Sequence, residues 1–448
     1  MLPKIHKKVK HPAQVFIGRP IISSVSSPLN RIAQFLDFYL LPEVMKSPAY
    51  LKDTAHTIRT IESLSLPDNV LLATIDVVGM FTAVPQEEAL EIAMKTLASI
   101  IPSSCDPPRP SLAFMSKLIK LVLYRNSFEF NNEFFLQISG CPMGLRSSPS
   151  LCCLVVNKLV DMIMHLDEKV ISFHIYMDDC LLFWNGSQTE LDAFIANIND
   201  IHPTLHFTHT SSPQEIQFLD LIIFKGDRFR LSNTLDVSCF TKPTETFCYL
   251  DRSSCHNPAV FKGFIKGELI RYARNSNNLE SFENKKSVFT NKLVDRGYTI
   301  SEINQAASEV DFQDRFKFIE EKTKDSQIPL VFKMNYLPHI QHSHVRNALL
   351  KHWDIILDQP DLNRIFPDVP IQCYSRTKNI RDMLVKAGLC NLESDEKFHD
   401  TTDPRKGSQT LHLLKDLEME SRGLDEFFPS LLFQNEDSSS EGDISQGD

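Results

Sequence analysis

The 448-residue sequence has ten scattered cysteines and no CxxC pair, which argues against a zinc knuckle or a disulfide framework. No apolar run reaches the roughly 18 residues that a membrane span needs, so no membrane partner is expected. The start, MLPKIHKKVKH, lacks the apolar stretch and small-residue cleavage site of a secretory signal. The expected setting is intracellular, with nucleus and cytoplasm undecided. No internal repeat is visible. What is present is a hydrophobic content of 42% and a charged content of 23%, as in globular proteins, on a chain long enough for two or three cores.

A net charge of −10 is unexpected for a protein that handles nucleic acid, which needs clustered Lys and Arg. The distribution changes that reading. Residues 424–448 hold seven acids and no Lys or Arg, leaving about −3 for the rest. The opening stretch carries Lys4, Lys7, Lys8, Lys10 and Arg19 with no acid, and a second basic stretch follows Lys262.

Four zones follow from pattern. Leu29, Ile32, Phe35, Leu36 and Leu40 approximate a helical period. Residues 70–225 alternate strands and helices: VLLATIDVV is a β-branched run ending in an acid, and VISFHIYMDDCLLFW reads as two strands joined by an acidic turn. Between them PSLCCLVVNKLVDMIMHL reads as a buried helix opening behind Ser and Pro. The expected class is α+β, an antiparallel sheet with helices on one face. The expected boundaries are 1–240, 241–320 (basic and helical, of helix-turn-helix type), 328–394 (a small α-rich module containing LLKHWDIIL) and 395–448 (a disordered acidic tail).

The chemistry lies in three carboxylates. Asp76 closes the first strand, and Asp178 and Asp179 occupy the turn of the hairpin about 100 residues later. Nucleotidyl transfer needs divalent cations on the attacking and leaving oxygens, and hard Mg²⁺ takes carboxylate oxygens. Adjacent acids between apolar strands repel unless exposed or neutralised by a cation. The glycine-containing stretch Gln137–Pro149 lies between the acids, where glycine lets backbone approach a substrate; an ordinary loop before a helix is the plain alternative.

These residues resemble the reverse transcriptases of Penelope-like elements. The resemblance runs from LPKIHK (Leu2–Lys7) and Arg19-Pro20-Ile21 through Asp76-Val77, Phe81-Thr82 and Pro85, then Gln137, Gly140, Met143-Gly144 and Ser148-Pro149, to Tyr176-Met177-Asp178-Asp179. It continues with Phe218-Leu219-Asp220, Lys242-Pro243-Thr244, Tyr249-Leu250, His256, Pro258, Gly267-Glu268, Arg271 and Arg274, and with LLKHWDIIL and RTKNIRDMLVKAGL, so that it spans about residues 1–391.

The resemblance implies a right-hand polymerase of fingers, palm and thumb that copies an RNA template from a DNA primer with dNTPs. It implies two ions, Mg²⁺ or Mn²⁺, on the catalytic residues Asp76, Asp178 and Asp179. Phe81 would lie beneath the incoming sugar and exclude a 2′-hydroxyl, and Arg19 would fork onto the triphosphate; a core Phe and a surface Arg are the plain alternatives. Met143 and Gly144 would shape the nucleotide pocket. Lys242, Lys262, Lys266, Arg271 and Arg274 would grip nucleic acid in the thumb, against the alternative of a solvated helix face.

Several features depart from the pattern. Gly79 stands where the family usually has Ser, which is expected to loosen the backbone beside a metal ligand. No general acid is evident; His206 and His209 are candidates, and exposed loop histidines are the simpler account. Neither Gly-Ile-Tyr nor Tyr-Ile-Gly occurs, so no endonuclease in cis is expected. The start at LPKIHK implies incomplete fingers. Together these motivate a second expectation, a catalytically inactive copy that binds nucleic acid or protein.

Overall fold

A short antiparallel ribbon, Leu2–Pro3 (β1) with Gly18–Arg19 (β2), begins the fold. The computed structural model describes residues 2–3, 18–19, 21–25, 27–101, 110–130, 133–321, 330–366 and 368–375, all within one compact unit, Met1–Arg376. The expected acidic tail and all of RTKNIRDMLVKAGL lie outside the described residues, as do Lys4 and Lys7.

Helix α1, Pro28–Val44, starts where Ser27 Oγ accepts from the Leu29 N–H and Pro28 fixes the first turn. Helix α2, Thr54–Ser63, starts on Asp53, which accepts from His56 N–H. Strand β3, Leu71–Val77, leads into the single turn α3, Met80–Ala83, then α4, Gln86–Ile100, and α5, Leu112–Tyr124. A ribbon of β4, Ser127–Phe130, and β5, Glu133–Leu136, stacks Phe128 on Phe135 at 5.5 Å between ring centroids. The buried helix α6, Ser148–Ile163, is followed by the hairpin β6, Val170–Tyr176, and β7, Asp179–Trp184. A capping box of Ser187 and Glu190 opens α7, Gln188–Asn199, before β8, Phe207–Ser212.

Among the described residues these strands pair antiparallel in the order β6-β7-β3-β8. Both faces of the sheet are covered. Leu72, Leu181 and Phe183 pack with Ile58 and Ile61 of α2 and with a second sheet made of β9, Glu215–Phe218, β10, Leu221–Phe224, and β11, Asp236–Cys239; the short helix α8, Asp227–Ser232, connects β10 to β11. Each fully buried side chain of this kind stabilises the fold by about 1.5–3 kcal/mol. On the other face Trp184 meets Phe194 of α7, with ring centroids 4.9 Å apart. Helices therefore lie on both faces rather than one, because each central strand carries apolar residues at successive positions. The class is α+β.

Beyond the second sheet, α9, Pro258–Arg274, α10, Leu279–Val294, and α11, Ile300–Ala307, enclose a core of Phe261, Ile265, Leu269, Phe282, Phe289 and Leu293. The short α12, Arg315–Ile319, packs against both α9 and α2. The last described module holds β12, Val331–Asn335, α13, His342–Lys351, α14, Asp354–Leu357, α15, Pro360–Ile365, and β13, Ile371–Ser375. Its strands pair in parallel, so the module expected to be α-rich also contains a strand pair. LLKHWDIIL breaks at His352–Trp353 between two helices. No helix among the described residues is long and apolar enough to cross a membrane.

Candidate active site

Strand registry brings the first and third motifs together. Asp76 on β3 stands directly opposite Asp179 on β7, as Thr74 does Leu181 and Leu72 does Phe183. Residues so opposed lie roughly 4.5–5.5 Å apart at Cα and share one face of the sheet. Leu72, Phe183 and Leu181 on that face are buried and Thr74 is half-buried, while both aspartates are exposed at its open end. Asp178 lies in the two-residue turn before β7, where its carbonyl accepts from Val77 N–H at 3.0 Å. Met177, before it, takes φ 56°, a left-handed conformation costing a non-glycine residue roughly 1–2 kcal/mol. The tight turn thus holds Asp178 beside the strand pair.

The three negative charges converge on the strand core. The Cys180 thiol, fully buried, is pushed well up by burial and then by Asp179, Asp178 and Asp76. On α6 behind the sheet, burial and then Asp178 push the Cys153 thiol up to about 12. Both thiols stay protonated at neutral pH and serve as core.

Opposed like charges on a sheet destabilise it unless a counter-charge is supplied, and three hard oxygen donors suit a divalent cation of the Mg²⁺ type. By donor chemistry the carboxylates fit such an ion. As placed, no group of three or more His, Cys, Asp or Glu among the described residues is arranged to hold a metal ion.

The second motif lies against the first. Gly140, at φ +71°, has no room for a side chain: a Cβ would meet the Phe81 carbonyl oxygen at 2.6 Å and Thr82 Cα at 2.8 Å. Cys141 N–H donates to that Phe81 carbonyl at 2.6 Å, and half-buried Phe81 lies on α3. Gly144, at φ +128°, approaches the chain's own backbone at Ile22. There Ile22 N–H donates to Met143 O at 3.0 Å and Ser24 Oγ donates to Gly144 O at 2.7 Å. The close approach that Gly144 permits in this structure is to the segment that follows Arg-Pro-Ile. Arg19 joins the β1–β2 ribbon by its backbone, and its side chain lies outside the described residues.

Gly79 caps α3 at φ 60° and ψ 40°, a left-handed position that glycine adopts without strain. The departure from Ser therefore relieves the backbone here rather than loosening it.

His206 is exposed, and its carbonyl accepts from Val78 N–H. His209 is not in a loop but on β8, with Nε2 2.9 Å from Asp192 Oδ1. The Phe-Leu-Asp motif, expected on a strand, spans the turn from β9 to β10. Asp220 there accepts from Thr54 Oγ1 at 2.6 Å and Asn275 Nδ2 at 2.7 Å, and faces Arg271 at 3.5 Å.

The basic residues have acidic or amide neighbours. Lys262 and Lys266 share Glu309 at 2.5 and 3.3 Å, Arg271 pairs with Glu268 at 2.6 Å, and Arg274 Nε donates to Asn275 Oδ1 at 2.9 Å. Lys242 is exposed in the stretch after β11.

Sequence reading missed two anchors of the loop. Buried Asp37 on α1 accepts from Arg146 Nε at 3.1 Å and Ser150 Oγ at 2.5 Å. Buried Gln86 donates to the Gly140 carbonyl at 2.9 Å. An acid within an apolar helical stretch was a signal for Asp37; Gln86 gave none.

Residues 17–206 match the family of reverse transcriptases (RNA-dependent DNA polymerases), and residues 248–308 match the animal helix-turn-helix domain. Comparison with curated protein sequences finds no match. Among solved structures, Candida albicans telomerase in complex with a fragment of telomeric RNA is 12% identical, with 65% of this chain and 55% of that chain covered and a TM-score of 0.41. Apo telomerase from Candida tropicalis is 13% identical, covering 66% and 53%, at 0.39. The Sicinivirus RNA-dependent RNA polymerase is 14% identical, covering 63% and 55%, at 0.38. The chain spans about half the length of these structures. The chain, of the α+β class, is thus similar to a reverse transcriptase domain over residues 17–206 and to an animal helix-turn-helix domain over residues 248–308.

Proposed function

We propose that the chain is the RNA-directed DNA polymerase of a Penelope-like retroelement, extending a DNA primer on an RNA template with dNTPs. The observation that carries this reading is the registry of Asp76 with Asp179, with Asp178 in the adjoining turn, at the exposed end of strands whose apolar residues are buried. Asp76, Asp178 and Asp179 would hold two divalent ions, Mg²⁺ or Mn²⁺, which when bound supply charge stabilisation to the attacking and leaving oxygens. Phe81 would set the space beneath the incoming sugar, and Arg19 would pair with the triphosphate. Met143 and Gly144 would shape the nucleotide pocket beside them.

The segment to about residue 240 would supply fingers and palm, and the helix-turn-helix region a thumb-like grip on primer and template through Lys242, Lys262, Lys266, Arg271 and Arg274. Four of those side chains already have acidic or amide partners, so nucleic acid would have to exchange with Glu309, Glu268 and Asn275. The exposed pairs of Lys262 and Lys266 with Glu309 are worth about 0–1 kcal/mol, which makes that exchange inexpensive, whereas Arg271 and Arg274 are half-buried among their partners.

Primer extension on poly(rA)/oligo(dT) with Mg²⁺ or Mn²⁺ tests the reading. Wild type is expected to extend, and Asp76→Asn and Asp178→Asn to lose at least about 100-fold in rate, the scale of removing electrostatic stabilisation from a transition state. Undiminished extension by Asp178→Asn would sink the site. Salt-dependent binding of template with no extension would leave a binding protein instead.

A further inference from the structure

We propose that Gln86 is a positioning residue that sets the placement of Phe81 and thereby the selectivity for deoxyribonucleotides over ribonucleotides. The inference rests on the polymerase reading above and extends it to a residue with no place in the reacting centre.

Gln86 opens α4 and is buried. Its amide nitrogen has two N–H groups, and both are used on backbone carbonyls: Leu123 and Gly140, each at 2.9 Å. Leu123 lies in the last turn of α5, where carbonyls have no partner within their own helix. Gly140 belongs to the loop that presses on α3. One N–H would suffice to finish α5; the second reaches the loop that fixes Phe81.

That loop bears directly on Phe81. Cys141 N–H donates to the Phe81 carbonyl at 2.6 Å, and the missing side chain of Gly140 lets the two backbones touch. Phe81 is therefore tied to Gln86 by two routes. One is covalent, through the short connection from α3 to α4. The other runs from Gln86 through the Gly140 carbonyl and the Cys141 N–H. Two ties to one buried amide leave the Phe81 backbone little freedom, as a side chain that measures a 2′-hydroxyl by bulk requires.

Loss of the donors leaves two buried carbonyls unmatched, so the loop must shift to find partners and Phe81 shifts with it. Selectivity is a difference between two transition-state energies and responds to misplacements well under 1 Å. The ratio of kcat/KM for dTTP to that for UTP is expected to fall roughly tenfold in Gln86→Leu. It should fall less in Gln86→Glu, which keeps the shape and, when protonated, one donor.

The experiment measures that ratio with the full chain on poly(rA)/oligo(dT), alongside thermal unfolding, for wild type, Gln86→Leu, Gln86→Glu, Phe81→Val and Ile119→Ala. Ile119 is a fully buried residue of α5, and its truncation lowers stability while removing no donor. A fallen ratio in Gln86→Leu with an unchanged ratio in Ile119→Ala supports the proposal. Unchanged ratios in both Gln86 variants, beside a shifted ratio in Phe81→Val, overturn it while leaving the polymerase reading intact. No extension by wild type, or an unshifted ratio in Phe81→Val, fails the parent reading and takes the proposal with it. Loss of cooperative unfolding in both Gln86 variants would make the residue a keystone of the fold alone and would also overturn the proposal.

Discussion

Gly144 admits no side chain: a Cβ there would meet the Ile22 carbonyl oxygen at 1.9 Å, on a backbone at φ +128°. Gly144→Ala is expected to cost at least about 2 kcal/mol, since backbone must move, and to lower thermal stability and primer extension together. A wild-type unfolding midpoint in that variant would refute the close approach. A second residue controls acid stability. His174 on β6 is buried, both ring nitrogens lack a protein partner, and burial followed by the charge of His56 lowers its pKa to about 4. The unfolded chain titrates near 6.5, so between pH 6.5 and about 4 it binds more protons than the native form. Stability is thus full above about pH 6.5 and falls as pH drops toward 4, by up to about 3 kcal/mol from this residue. Urea unfolding at pH 7 and pH 5 measures it. Replacement by Phe should flatten the acid limb, and an equal loss in His174→Phe would exclude His174 as the cause.

At the scale of elements, α9 forms despite two glycines. Phe261, Ile265, Leu269 and Tyr272 recur at helical spacing on the buried face, and Asn257 with Pro258 sets the start. Gly263 and Gly267 have nothing within 4 Å of an added Cβ, so they serve no close contact. Gly263→Ala and Gly267→Ala are each expected to stabilise by about 0.5–1 kcal/mol, read as a raised unfolding midpoint. A lowered midpoint would show that α9 needs its glycines. The β6–β7 hairpin behaves differently: its strands are secured by buried Phe173, Ile175, Cys180 and Leu182, which is what lets the turn hold Met177 in a left-handed conformation.

For the molecule as a whole, several polar contacts join the two sheets to the helices that follow them, among them two clusters around the carboxylates Asp220 and Glu62. Asp220 takes hydrogen bonds from Thr54 of α2 and from fully buried Asn275, which follows α9. Glu62 of α2 receives Arg228 at 2.8 Å and buried Arg315 of α12 at 2.9 Å. Removing one partner of such a network leaves the others desolvated and unpaired. Asp220→Ala is expected to lose about 2 kcal/mol and to separate calorimetric unfolding into two transitions, one for each region. A single transition at the wild-type temperature would show that the two regions do not depend on this carboxylate for their coupling.

The sequence by itself determined the α+β class, the long helices and the acidic hairpin, because hydrophobic period and turn chemistry are local properties of a chain. It also marked Asp76, Asp178 and Asp179 as an ordered set. That Asp76 faces Asp179, that Gly144 lies on Ile22, that Gln86 reaches Gly140 and that Asp220 bridges two regions were decided only by tertiary structure. Strand register, backbone approach and the partners of a buried amide join residues far apart in sequence, and no local pattern encodes which carbonyl a given N–H will meet.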